Sequence, residues 1–225
     1  SDVGDQLTWA AFHMGDGRAS NGKRILRKSS LKFMQRDHAP AGSMADTVGT
    51  SWLMRTLDGN KLVSHGGTTL GQLSAFSMVP ERSFGITVLT NSTTGGQLHR
   101  EVVGWALENY LGIKRAVPSK VRMSNQDLAP YAGSYRQESS GSVFVLSARN
   151  GGLSLKLPTP PAPAGPRGGK KPPAPPLVPL DFIGPDQVAA TTGYFKGTSG
   201  EFIRSTSGRI AWFRFGGRIQ RRVKA

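Results

Sequence analysis

Near the start of the chain, hydrophobic residues recur at helical spacing. Leu7, Ala10, Ala11 and Met14 predict an amphipathic helix with Asp5 as its cap and Gly15 or Gly17 as its terminator. Asp16-Gly17 and Asn21-Gly22 mark turns, and Ser29 or Ser30 is expected to cap a short second helix carrying Leu31 and Met34 on one side. Pro40 and Gly42 belong to a loop. From Val48 the period shortens to two. Residues 48–57 and 61–64 read as strands around the hairpin pair Asp58-Gly59, and residues 73–79 and 84–90 read as two more across a tight turn at 80–83. Strands joined by so few residues are antiparallel neighbours. Residues 97–111 form the clearest helix, with Leu98, Val102, Val103, Trp105, Ala106, Leu107 and Tyr110 as a wide apolar stripe and Gly112 as its stop. A helix after a β-meander is expected to cover one face of that sheet.

The pattern changes beyond residue 115. Residues 116–126 are basic, polar and without period, and read as a linker. Short strands are expected at 131–136, 142–148, 152–157, 180–183, 192–196, 201–206, 209–215 and 218–223, with turns at Asn150-Gly151, Ser207-Gly208 and Gly216-Gly217. Eight such strands predict a small antiparallel barrel or half-barrel. Between them, residues 158–179 are rich in proline and glycine. Proline removes ladder donors and glycine removes stiffness, so an exposed extended loop is expected there.

The 225 residues, 37% of them hydrophobic, can supply a sizeable core. With no cysteine, a disulfide framework, a thiol nucleophile and a cysteinyl metal site are all excluded. His13, His38, His65 and His99 are scattered, with no H-x-x-x-H spacing or carboxylate cluster, so neither metal nor cofactor is expected. No apolar run reaches the roughly 18 residues of a membrane span, and no membrane partner is expected. The chain opens SDVGDQL without methionine, as a processed or truncated piece would, so cytoplasmic and exported locations are not separated. A formal charge of +15 favours anionic partners in general. Its clusters at 23–28, 114–120, 167–171 and 218–224 carry no nucleic-acid-binding motif, so a solvated basic surface is expected and nucleic acid is not.

One stretch carries candidate chemistry. Ser64-His65-Gly66-Gly67-Thr68-Thr69 joins a proton-carrying ring to two residues without Cβ and a pair of hydroxyls. Glycines there let the backbone approach another group closely and aim N–H groups at a developing oxyanion, while the histidine can donate or move a proton near neutral pH. A glycine turn beside a histidine satisfied by backbone fits the same residues equally well. No Ser-His-Asp set can be assembled, and no serine lies in G-x-S-x-G. Ser29 and Ser30 are followed three residues on by Lys32 and Phe33, in no context that suits a Ser-x-x-Lys nucleophile.

The run VSHGGTTLGQLSAFSMVPERSFGITVLTNS, with V-P-E-R at Val79–Arg82, resembles the C-terminal part of the serine β-lactamase-like hydrolases, the family of class C β-lactamases, DD-peptidases and related esterases. LTWAAFHMGDG and SLKFMQ are similar to the helical part before it. By this resemblance His65-Gly66-Gly67 matches the family's third active-site motif. That implies catalytic roles for His65, lining the cleft, and for Thr68, whose N–H would be half of an oxyanion hole. Gly66, Gly67 and Thr69 would contact substrate. DLAPYAGSYR and the closing FIRSTSGRIAWFRFGGRIQRRV resemble the entry and last strands of a lipocalin-like barrel appended to many of these hydrolases.

The family's nucleophile and base (Ser-x-x-Lys) and its tyrosine motif would lie upstream of residue 1. Tyr110, Tyr131, Tyr135 and Tyr194 all follow His65 and cannot stand in. The resemblance therefore implies an α/β fold of the α+β type. Its antiparallel sheet would be flanked by helices, β-lactamase/transpeptidase-like and incomplete on its N-terminal side, and would be followed by the barrel. The expected domains are 1–115 and 127–225, with the linker 116–126 between them. The implied function is the C-terminal portion of a serine hydrolase, peptidase or esterase acting on an amide, ester or lactam of a small molecule or peptide. Its partner would be the N-terminal portion bearing the missing motifs, on the same chain or a separate one, and residues 1–225 alone would be inactive. The alternative is a non-catalytic protein- or peptide-binding module.

Overall fold

The structure, a computed structural model, describes residues 1–69, 71–92, 94–116, 118–159 and 174–223. They fall into two compact units, Ser1–Val117 and Pro118–Ala225. The first opens with helix α1 (Val3–Met14), followed by α2 (Lys28–Met34). Asp2, not Asp5, caps α1: its carboxylate accepts from the Asp5 N–H while Asp5 reaches back to the Asp2 N–H, a reciprocal box that satisfies two orphan donors. The buried face is also rotated from the one the periodicity predicts. Ala10 and His13 are buried, whereas Leu7 and Trp9 remain 41% and 52% exposed. Neither Ser29 nor Ser30 caps α2, which starts after Arg27 without a side-chain cap.

Six strands follow: β1 (Ala39–Pro40), β2 (Thr47–Val48), β3 (Leu53–Leu57), β4 (Asn60–Thr69), β5 (Gln72–Val79) and β6 (Phe84–Thr90). They pair consecutively, all antiparallel, into one open sheet. Pro40, expected in a loop, lies in β1, a two-residue edge strand where a missing N–H costs little. The strand expected at 48–57 is broken at Ser51, whose φ of 63° turns the chain between β2 and β3. Helix α3 (Gly95–Leu111) ends at Gly112, where a φ of 72° lets its N–H cap the last turn.

Alternation in the central strands sorts the core onto both faces. On one face Met54, Val63, Phe76 and Met78 meet Ala10 of α1 and Trp52, with Met14 and Met34 against them. On the other, Leu62 and Val79 meet Val103 and Leu107 of α3 and Ile113. Gly85 lets α1 come close, because a Cβ there would stand 3.1 Å from that of Ala10. Strand β6, PheGlyIleThrValLeuThr, forms the far edge of the sheet and carries neither charge nor proline.

The second unit begins with α4 (Asn125–Leu128), capped by Ser124. Eight strands follow: β7 (Gly133–Arg136), β8 (Val143–Arg149), β9 (Gly152–Lys156), β10 (Val178–Gly184), β11 (Gln187–Ala190), β12 (Ser199–Arg204), β13 (Ile210–Phe215) and β14 (Arg218–Val223). The barrel is fully closed, in the order β10-β11-β12-β13-β14-β7-β8-β9, with β9 paired back onto β10. Its interior is filled by Tyr131, Tyr135, Phe182, Phe202, Phe213 and aliphatic side chains.

Two sequence expectations fail here for local reasons. Residues 192–196 form a turn instead of a strand, with Gly193 and Gly197 both at positive φ. The eighth strand is β11, whose Gln-Val-Ala-Ala carries almost no β signal and is set by the turn at Asp186. There Arg204 grips the Asp186 carboxylate with a two-pronged fork (2.8 Å to each oxygen) and Tyr131 donates to it at 2.9 Å. Val178 and Pro179, counted with the proline-rich loop, belong to β10 and pair with Leu155 and Ser154. Residues 160–173 of that loop lie outside the described residues. Part of the expected linker is anchored, with Val121 bridging to Phe182 and Lys120 paired with Asp181 at 3.0 Å.

Closure at β9–β10 depends on Gly152, since a Cβ there would sit 2.5 Å from the Leu180 carbonyl oxygen, a backbone atom that cannot swing away. Gly152→Ala is expected to destabilise the barrel by about 1–3 kcal/mol, as overpacking does. Urea unfolding followed by near-ultraviolet circular dichroism measures it, and an unchanged midpoint would mean that the seam adjusts freely.

Candidate functional site

Strand β4 is twice the length of β3, and this mismatch builds the site. Leu57 and Asn60 close the turn Asp58-Gly59, whose positive φ values (49° and 73°) suit a two-residue hairpin. Pairing then runs up to Leu53 opposite Ser64 and stops. Residues 65–69 continue as strand, paired only with β5, from His65 opposite Phe76 to Thr69 opposite Gln72. The glycines therefore sit in a strand, not in a turn. In an antiparallel ladder, backbone groups face the two neighbours alternately. Those of Asn60, Leu62 and Ser64 are directed to β3, so those of Gly66 and Thr68 lie on the same edge, beyond the end of β3.

Both glycines are sterically constrained on the β5 side. A Cβ at Gly66 would stand 2.9 Å from the Ser74 carbonyl oxygen, and one at Gly67 would stand 3.3 Å from the Ser74 Oγ. The His65 side chain shares the face of its partner Phe76, which is the α1 side of the sheet. It makes no hydrogen bond or ion pair with any described residue. A cleft of about 730 Å³ opens there. His65 and Gly66 line it, together with Trp9 and His13 of α1, Trp52 and Phe76. Gly67, Thr68 and Thr69 are exposed along the same overhang but do not line the cleft. Ser29 and Lys32, at Ser-x-x-Lys spacing on α2, are exposed and do not line it either. Among the described residues no group of His, Asp or Glu is placed to hold a metal ion.

Sequence reasoning missed His13. The residue is 3% exposed, and its ring packs edge-on against Trp9 and Trp52, with centroids 4.4 and 5.0 Å away. Among the described residues, neither ring nitrogen nor Nε1 of Trp52 has a hydrogen-bond partner. The aromatic spacing Trp9-x-x-Phe12-His13 was the available signal, and only the rotated face of α1 gives it meaning. Burial lowers the His13 pKa and so favours the neutral ring. His99 on α3 is shifted the same way, by burial and then by Arg100, while its Nε2 lies 3.0 Å from the Thr90 hydroxyl.

No protein-family model matches the chain. Penicillin-binding protein 4 of Amycolatopsis lactamdurans is 28% identical over 142 residues, which is 60% of this chain and 37% of that protein. SurE solved with D-Leu superposes with a TM-score of 0.66 at 20% identity, covering 99% of this chain and 50% of SurE. A second SurE structure gives 0.61 at 19% identity, covering 99% and 48%. The chain is similar over part of its length to a penicillin-binding protein and shares its fold with SurE. It spans about half the length of SurE and less of the penicillin-binding protein.

The depressed histidines set a pH dependence. Unfolded histidines take up protons near pH 6.5, whereas the buried rings resist protonation. Stability is therefore full above about pH 6.5 and is lost as pH falls below it. His13→Leu, which removes a buried ring with unpartnered nitrogens, is expected to keep or raise Tm and to flatten its decline between about pH 7.5 and 5. Thermal melts across that range test it, and a steeper decline in the variant would show that His13 is not the resisting group.

Proposed function

We propose that residues 1–225 are the C-terminal portion of a serine hydrolase that cleaves an amide, ester or lactam through an acyl-enzyme. The observation that carries this reading is the overhang of β4: backbone donors of Gly66 and Thr68 on an unpaired strand edge, next to a cleft lined by His65. In this reading an upstream serine attacks the substrate carbonyl and an upstream base takes its proton. The Thr68 N–H then donates to the oxygen that gains charge, and His65 donates to the carbonyl or carboxylate side of the substrate. As the tetrahedral adduct collapses, the C–N or C–O bond breaks, the base returns its proton to the departing amine or alcohol, and water then releases the acyl group from the serine. Gly66, Gly67 and Thr69 leave an extended backbone rail along which substrate lies. Similarity to a penicillin-binding protein supports the reaction class. SurE with D-Leu is a reason to include D-amino-acid esters among the substrates tested.

The upstream portion is also the natural cover for β6. A seven-residue, largely apolar edge without charge or proline is one that folded proteins otherwise protect. Residues 1–225 by themselves lack both nucleophile and base in this scheme, and are expected to form no stoichiometric adduct with a fluorophosphonate or a β-lactam. Intact-mass spectrometry tests this, and an adduct on any serine of the chain would refute the division of labour.

In the protein with its upstream portion restored, His65→Ala is expected to lower kcat/KM by roughly 30- to 1,000-fold, the equivalent of about 2–4 kcal/mol of lost transition-state stabilisation. Thr68→Ala retains the N–H and should be mild. Thr68→Pro removes the N–H at a position where no ladder bond is broken, and should be as harmful as His65→Ala while circular dichroism stays unchanged. A Thr68→Pro enzyme within about twofold of the parent would remove the oxyanion role.

A further inference from the structure

The charge of the chain is not evenly shared. Of its 29 Lys and Arg, 16 lie at or beyond Pro118, but only five of its 14 Asp and Glu do. On the barrel this surplus converges on a groove of about 880 Å³ at the β7, β13 and β14 strands and the β12–β13 turn. Arg204, Arg209, Arg221 and Arg222 line it, and no carboxylate does. Ile210, Ala211, Trp212 and Val223 add an apolar lining.

The four arginines differ in what they already hold. Arg204 is committed to Asp186. Arg221 shares Glu138 at 2.9 Å in an exposed pair worth little in water. Arg222 is held by the Pro130 and Ala132 carbonyls, which orient its guanidinium without neutralising it. Among the described residues the Arg209 side chain reaches only the Ser207 hydroxyl, at 3.4 Å.

The strand register adds a second, independent sign. Arg136 of β7 stands directly opposite Arg221 of β14, which stands opposite Trp212 of β13. These positions alternate with the buried Tyr135, Gln220 and Phe213 and so share the outer face. Like charges directly opposed across strands destabilise a sheet, and an anion laid over them relieves that repulsion.

We propose that this groove binds an acidic peptide segment with interspersed apolar side chains. Carboxylates would pair with Arg209 and Arg221 in the groove and with Arg136, which stands beside it opposite Arg221, and apolar residues would sit on Trp212 and its aliphatic neighbours. The mixed lining favours such a peptide over a phosphodiester chain, whose backbone has nothing apolar to offer the floor and whose bases would find a single, half-buried ring in Trp212.

The probe is a fluorescein-labelled octapeptide of alternating Glu and Leu, titrated with residues 1–225 at about 50 mM salt and followed by anisotropy. Saturable binding is expected. Arg136→Gln with Arg209→Gln should weaken it by about tenfold or more, while Lys23→Gln with Lys28→Gln, which removes the same charge elsewhere, should change it less than about threefold. Neither Arg136 nor Arg209 anchors the fold, and circular dichroism checks that both variants are intact. Equal weakening by the two double variants, tighter binding of an oligothymidylate of equal charge, or no saturable binding would each overturn the proposal.

Discussion

The end of β4 has a neighbour on one side only, and the first unit is organised around that fact. Backbone donors in a sheet interior are consumed by the ladder, so a strand offers N–H groups to another molecule only where its neighbour stops. Here β3 stops at Leu53, opposite Ser64, and the chain continues for five strand residues, two of them glycines pressed against Ser74. The same continuation sends His65 over the face where Phe76, Trp52 and α1 form a wall. Length mismatch, a backbone rail and an aromatic cleft thus come from one pairing pattern.

The two units meet the problem of strand edges in opposite ways. The barrel closes on itself, and its last seam depends on Gly152 admitting the Leu180 carbonyl. Its described strands leave no open edge strand, so the surface chemistry of its outer face is where recognition can reside. The sheet of the first unit remains open. One edge ends in the very short β1, and the other is the full, uncharged length of β6. Likeness to SurE extends over nearly the whole chain, but takes in only half of SurE.

Much of this was legible in the residues. β6 falls where the alternation predicts it, α3 ends at Gly112 as its pattern requires, and the order of a helix-flanked antiparallel sheet followed by an eight-strand β unit follows from period changes and turn dipeptides. These features are local: a glycine at positive φ or a run of β-branched residues acts within a few positions of itself. The failures are equally specific. Asp5 was a plausible cap because it precedes the apolar run, but Asp2 and Asp5 cap the helix together, one turn earlier. β11 has too weak a sequence to announce itself and exists because Arg204, 18 residues away, fixes the turn before it.

For the candidate site, the sequence by itself determined which residue types stand together: a histidine, two glycines and two threonines following a strand. It could not decide between turn and strand, because glycine fits both and the deciding contacts lie in β5. Nor could it bring His13 to the same cleft, since α1 presents Ala10 and His13 inward and leaves Leu7 and Trp9 outside. That rotation is set by where Gly85 lets the helix touch the sheet. Backbone propensity is written along the chain, whereas register, overhang and the facing of a helix are decided by packing between segments far apart in sequence.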